Sequence, residues 1–196
     1  GQGGSAVVVA SRGCPLSCSY CCLGASAGVP FRQRPVAAVL EELEIAVRRH
    51  GARFIDFEDE NLAWDRPWFM RLLEGVIARL GPGAVELRAM NGLYPPSLDD
   101  ELITIMARAG FRTLNLALAS TDPAQLRRFR RRDVLPAFPE VRHVIDVGAN
   151  VGQFSRAIRK DFPLATVLAC EPIPGALVGL RKVFASDAKV TIEGVA

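Results

Sequence analysis

The sequence predicts an α/β fold: a parallel sheet built from repeated βα units. Three observations predict it. Short apolar runs alternate with amphipathic helical stretches along the 196 residues. Several helical stretches open on Asp or Pro and close on Gly, the residues that start and stop helices. The composition, 49% hydrophobic and 23% charged, supplies enough apolar surface for one substantial core or two small ones.

Ala6 to Ala10 reads as a buried strand. Pro35 to His50 reads as a helix with Val36, Leu40, Leu43 and Val47 on one face, Pro35 in its first turn and Gly51 as its stop. Arg53 to Phe57 is a second strand. The next helix takes Asp65 as cap and Pro67 in its first turn, with Phe69, Leu72, Val76 and Leu80 as the inner stripe, and Gly81-Pro82-Gly83 ends it. Val85 to Met90 is a third strand. Ser97-Leu98-Asp99-Asp100 has the form of a capping box before a helix carrying Leu102, Ile105, Met106 and Ala109. Phe111 to Ala119 is a fourth strand, and Thr121-Asp122-Pro123 opens a helix that runs into Arg127 to Arg132. Successive units of this kind imply right-handed crossovers, and chemistry at the C-terminal ends of the strands.

The formal net charge of +3 does not argue for nucleic acid or an anionic membrane. The arginine run at 127, 128 and 130–132 reads as a solvated helix face, with no interleaved aromatics to suggest nucleic acid. No apolar run approaches a membrane span. Five cysteines and no export signal favour a reducing cytoplasm over a disulfide framework. The opening Gly1-Gln2-Gly3-Gly4-Ser5 lacks methionine, and the run from Val190 to Val195 stops without a turn. Both ends read as cut edges of a longer protein.

The most informative motif is Cys14-x3-Cys18-x2-Cys21, just after the first strand. Three thiolates on one loop can hold three irons of a [4Fe–4S] cluster and leave the fourth iron open. A structural zinc would need a fourth ligand. Cys22 is poorly placed for that role, and His50, His143 and Cys170 are distant in sequence. Zinc or inert thiols remain the alternative reading.

The segment Cys14-Pro15-Leu16-Ser17-Cys18-Ser19-Tyr20-Cys21 resembles the radical S-adenosylmethionine (radical SAM) family, including Tyr20 before the third cysteine. The resemblance covers about residues 6 to 132 and implies part of a TIM-like barrel. It implies a [4Fe–4S] cluster on Cys14, Cys18 and Cys21 and SAM chelated at the open iron. The chemistry it implies is reductive cleavage to a 5′-deoxyadenosyl radical. It also implies a small-molecule substrate and an electron donor such as flavodoxin or ferredoxin.

After the second strand, Phe57-Glu58-Asp59-Glu60-Asn61 places acids at the exit of a buried strand, which is costly unless they are solvated or paired. An exposed helix approach is the plain reading. By resemblance this is the polar motif that receives the SAM amino group, in the Phe-x-Asp-(Asp/Glu)-Asn form rather than Gly-Gly-Glu. Asp59, Glu60 and Asn61 are its candidates, and which of them touches SAM stays open. The same form makes a cobalamin domain upstream of residue 1 plausible. Asn91, after the third strand, is a turn residue or a SAM contact. Ser120 either contacts SAM or, with Thr121, caps the following helix, capping being the assignment for Thr121.

From Glu140 the pattern changes. Val144-Ile145-Asp146-Val147-Gly148-Ala149-Asn150-Val151-Gly152-Gln153-Phe154 is a strand, a glycine-bearing loop and a helix start, the physics of a nucleotide loop. Ala165 to Cys170 is a further strand ending at Glu171, where a carboxylate can accept from ribose hydroxyls. This half resembles a class I, FkbM-like SAM-dependent methyltransferase. The resemblance implies Asp146, Gly148, Asn150 and Gly152 as the SAM loop and Glu171 as the ribose holder. A generic βα turn is the alternative.

The expected organisation is therefore a partial radical SAM core over 1–135 and a partial Rossmann-like sheet over 136–196, joined at a seam near Arg132 to Pro139. The seam is short, so the two broken edges are expected to pair into one continuous open sheet. Three functional readings follow: a radical SAM iron–sulfur protein, a methyltransferase of the second type, or a non-catalytic fused fragment.

Overall fold

A computed structural model describes residues 4–23, 27–132 and 140–195. It is an α/β fold with parallel sheets and no closed barrel. The chain divides into two compact units, Gly1–Ala117 and Leu118–Ala196. The expected seam, apart from Arg132, lies outside the described residues.

In the first unit, β1 (Gly4–Val8) pairs in parallel with β4 (Ala52–Phe57), Ala6 opposite Ile55 and Val8 opposite Phe57. Strand β4 pairs in turn with β5 (Glu86–Arg88), giving the order β1-β4-β5. Helix α1 (Val36–Arg48) lies between β1 and β4 in sequence and buries Val39, Leu40, Leu43 and Ala46. Helix α2 (Arg66–Leu80) links β4 to β5. Asp65 caps it by accepting from the Trp68 amide at 3.0 Å, and a proline stands in its first turn, as the sequence reading requires.

Helix α3 spans Asp100–Ala109 and buries Leu102, Ile105, Met106 and Ala109. Its cap is Asp99, which accepts from the Leu102 amide at 2.8 Å. Ser97, the expected cap, belongs instead to a 3-10 turn over Pro95–Ser97. One continuous core joins these helices to the sheet through Leu43, Ile55, Phe57, Phe69, Leu72 and Met106.

The expected fourth strand, Phe111 to Ala119, is reduced to two isolated parallel bridges, Leu87 to Phe111 and Leu93 to Leu116. Between them the Leu87 side has one residue more than the other, so the register slips. The Asn115 side chain also takes the Met90 carbonyl at 3.0 Å. Phe111 is nonetheless fixed by its ring, stacked 6.4 Å from Phe57 and edge-on 6.3 Å from Phe69.

An antiparallel ribbon of β2 (Ser11–Arg12) and β3 (Arg32–Gln33), not anticipated from sequence, closes the base of the cysteine loop. Two residues on each strand are too few to show an alternation pattern.

In the second unit, α4 (Pro123–Phe129) ends at Arg130, whose left-handed backbone stops it short of the expected Arg132. Asp122, rather than Thr121, caps it, accepting from the Ala124 and Gln125 amides. The sheet has the order β6-β7-β8, all parallel: β6 (His143–Val147), β7 (Thr166–Cys170) and β8 (Val190–Glu193). Helices α5 (Gln153–Asp161) and α6 (Pro174–Val183) supply Ile158 and Leu180 to a core with Val167, Ala169 and Phe184. Strand β6 leaves Ile145 and Val147 exposed.

The described residues do not form the single continuous sheet expected across the two halves. Among the described residues β6, β7 and β8 pair only with one another.

Candidate functional site

Three of the residues that leave β4, Asp59, Glu60 and Asn61, organise the cysteine loop. Asp59, only 2% exposed, accepts at Oδ2 from the Ala10 amide at 3.1 Å. Its Oδ1 accepts from the amide and the hydroxyl of Ser11. Burial pushes the Asp59 carboxyl above the usual carboxylate range, against the opposing pull of the hydrogen bonds from Ser11 and Ala10. Glu60 accepts at Oε2 from the Gly13 amide at 3.0 Å. Gly13 has φ +80, and a Cβ there would stand 2.6 Å from the Pro30 carbonyl oxygen, so the position demands glycine. Asn61, 2% exposed, donates from Nδ2 to the Cys14 sulfur at 3.7 Å. Its Oδ1 is buried with no hydrogen-bond partner.

The return of the loop is pinned as well. The Arg34 amide donates to the Ala10 carbonyl at 3.0 Å. The Arg34 guanidinium donates to the Val9 carbonyl and pairs with Glu42, and Trp68 Nε1 donates to the Arg34 carbonyl.

Within the loop, the Cys21 amide donates to the Cys18 carbonyl at 3.2 Å, and the Leu23 amide donates to the Cys21 sulfur at 3.4 Å. Cys18 is buried, Cys14 and Cys21 are half-buried, and Cys22 and Tyr20 are exposed. No disulfide joins any of the five cysteines. Among the described residues no three His, Cys, Asp or Glu side chains already stand together as a metal-holding group. The donor set nevertheless fits a cluster. It has three thiols on one short loop, and a buried amide meets one of them and keeps an unsatisfied oxygen beside it.

Asn91, after β5, donates to Glu58 Oε2 at 3.1 Å. The Met90 amide donates to Asp56 at 3.3 Å. The loops after β1, β4 and β5 therefore meet through Asp59, Glu60, Asn61, Glu58 and Asn91. Ser120 is engaged locally: its hydroxyl donates to Gln125 Oε1 at 2.6 Å and accepts from the Asp122 amide. Sequence reasoning missed Ser11, Gly13, Glu58 and Asn115. Gly13, directly before Cys14, was the one available signal.

In the second unit, Gly148 and Asn150 both have positive φ, 78° and 51°. The Gly148 and Ala149 amides donate to the Cys170 carbonyl. Glu171 is buried and joins the two loops, accepting from the Asn150 amide and the Ile173 amide, each at 2.7 Å. Asp146 accepts from the Ser155 hydroxyl at 2.6 Å. Gly152 stands at the N-terminus of α5 with φ +88. The expected loop residues thus lie on one short segment. The carboxylates Asp146 and Glu171 serve the protein's own donors there.

No helix among the described residues is long and apolar enough to cross a membrane. Comparison with known proteins places this geometry. Bacteriochlorophyllide d C-12(1)-methyltransferase of Chlorobaculum tepidum is 31% identical over 118 residues, 59% of this chain and 25% of that protein. Tryptophan 2-C-methyltransferase of Streptomyces laurentii is 26% identical over 129 residues, 64% of this chain and 21% of that protein. An anaerobic magnesium-protoporphyrin IX monomethyl ester cyclase of Cereibacter sphaeroides is 30% identical over 117 residues, 60% of this chain and 19% of that protein. The aligned segment is thus a quarter or less of each relative's length.

In fold, the chain is similar to the radical SAM methyltransferase TsrM from Kitasatospora setae, solved with cobalamin and a [4Fe–4S] cluster bound. The TM-score is 0.59 at 16% identity, over 97% of this chain and 37% of that one. The model of the radical SAM superfamily matches residues 8–150, well over half of the chain and spanning the cysteine loop and every side chain that grips it. The chain belongs to the radical SAM superfamily.

Proposed function

We propose that this chain is a SAM-utilising iron–sulfur protein of the radical SAM type, with Cys14, Cys18 and Cys21 as cluster ligands. The observation that carries the reading is the hold of the residues after β4 on the cysteine loop, ending in the contact of Asn61 with Cys14. When bound, a cluster with one open iron supplies the electron that cleaves the SAM sulfonium. The chain's own side chains bind and orient. Asp59 fixes Ala10 and Ser11 and so sets where the loop begins. Glu60 fixes Gly13, next to the first ligand. The unpartnered Asn61 Oδ1 is an acceptor suited to an amino group of SAM. Glu58 and Asn91 border the same site from the β5 side, and the exposed Tyr20 flanks Cys21. Ser120 would have to give up Gln125 to reach a SAM carboxylate or ribose.

On this reading residues 1–135 are the cluster-bearing piece, and cobalamin, where used, belongs to a segment upstream. A small-molecule substrate and a flavodoxin- or ferredoxin-like electron donor complete the system. Anaerobic reconstitution should load about four irons per chain. Replacing Cys14, Cys18 and Cys21 together by alanine should abolish the loading. Unchanged loading in that variant would end the reading.

A second reading, for residues 136–196, is a methyltransferase-like SAM site on Asp146, Gly148, Asn150, Gly152 and Glu171. The link from Glu171 to the Asn150 amide favours it, because it places a carboxylate against the glycine-bearing loop. SAM binding that survives loss of the three cysteines but not E171Q would support it. Binding lost with the cysteines would refute it.

A further inference from the structure

The contact between Asn61 and Cys14 has a consequence for electron transfer. Asn61 is 2% exposed, so its amide acts where water does not screen it. Its Nδ2 lies 3.7 Å from the Cys14 sulfur, within reach for an N–H···S hydrogen bond. A thiolate only accepts, so the amide must present its nitrogen to that sulfur; turned over, it would set two acceptors against each other. Hydrogen bonds to ligand sulfurs are one of the levers that set cluster potentials, because they favour the more negative, reduced state. Cys21 also receives a hydrogen bond, from the Leu23 amide at 3.4 Å, but that donor is backbone within the loop and is unchanged by side-chain substitution.

We propose that Asn61 is a positioning residue that sets the reduction potential of the cluster through its hydrogen bond to Cys14. The proposal rests on the cluster reading above and deepens it. Asn61 lies on the segment that follows β4 (Ala52–Phe57) and is 47 residues from Cys14 in sequence. The donor therefore comes from the segment after β4 rather than from the cysteine loop itself.

The test is potentiometry of the reconstituted full chain, followed by electron paramagnetic resonance of the reduced cluster, for the natural sequence, N61A and N61D. N61A removes the donor. N61D keeps the shape, removes the donor and adds an acceptor. Loss of one such bond is expected to change the reduced-to-oxidised ratio at a fixed potential about tenfold, or about 59 mV for one electron. The midpoint should move to more negative values in N61A and further in N61D, at unchanged iron content. A midpoint unchanged in a fully loaded variant overturns the proposal and leaves the cluster reading standing. Failure of both variants to load while their circular dichroism melts match the natural chain also overturns it, because Asn61 would then serve assembly rather than potential. If the natural chain takes up no iron, the cluster reading itself fails and this proposal falls with it.

Discussion

Asp59 carries an unusual load for one side chain. Its two oxygens satisfy the Ala10 and Ser11 amides just after the chain leaves β1. D59A would leave two buried donors unpaired, at about 1–3 kcal/mol each. Chemical denaturation should therefore show a loss of about 3 kcal/mol, and a loss under 1 kcal/mol would contradict the clamp. The pH dependence has a definite sign. Burial raises the Asp59 carboxyl, so the folded state holds the proton more tightly than the unfolded chain. Its contribution is complete below the ordinary carboxylate pKa and is lost as pH rises through the raised value. Relative to D59N, the natural chain should lose stability as pH climbs from the acid end of that window. A flat or rising difference curve would refute this.

The three cysteines were legible because identical reactive side chains recur at fixed short spacing. The contacts of Asp59 with Ser11 and of Asn61 with Cys14 were not, because they join positions 48 and 47 apart and leave no local pattern. Asp122, not Thr121, caps α4 for a different reason: both types cap well, and only geometry chooses.

At the scale of elements, apolar periodicity and helix punctuation gave α1, α2 and α3 and the parallel pairing of the strands between them. The ribbon of β2 and β3 escaped, being only two residues on each side. The broken fourth strand escaped because Phe111 to Ala119 has ordinary strand composition. The register slip is visible only against its neighbour.

The glycine-bearing loop of the second unit tests local packing. A Cβ at Gly152 would meet a Phe184 ring carbon at 2.6 Å and Leu180 at 2.9 Å, with φ at +88. Backbone strain of about 1–3 kcal/mol and overpacking of similar size both apply. G152A should cost about 3 kcal/mol and lower hydrogen-exchange protection in β7 and α6. Unchanged protection would mean the loop is not packed as described.

Among the described residues there are two apolar cores, one built on α1, α2 and α3 and the other on α5 and α6. Parallel sheets are ordinarily covered on both faces. Strand β6, however, exposes Ile145 at 68% and Val147 at 72%. The pair I145T and V147T should reduce dye binding to apolar surface and concentration-dependent association. The change in unfolding free energy should stay within about 0.5 kcal/mol, since neither side chain is buried. A large loss of stability would show that these residues are packed in solution.

Fold class and family were legible at this scale, because strand–helix alternation and the cysteine spacing are both patterns local in sequence.

The most direct test of the cluster assignment is the electron paramagnetic resonance spectrum of the anaerobically reconstituted, reduced chain with and without SAM. Ligation by Cys14, Cys18 and Cys21 alone predicts a cluster signal whose position changes when SAM is added, and no signal once those cysteines are alanine. A chain that stays iron-free, or a cluster signal indifferent to SAM, would contradict it.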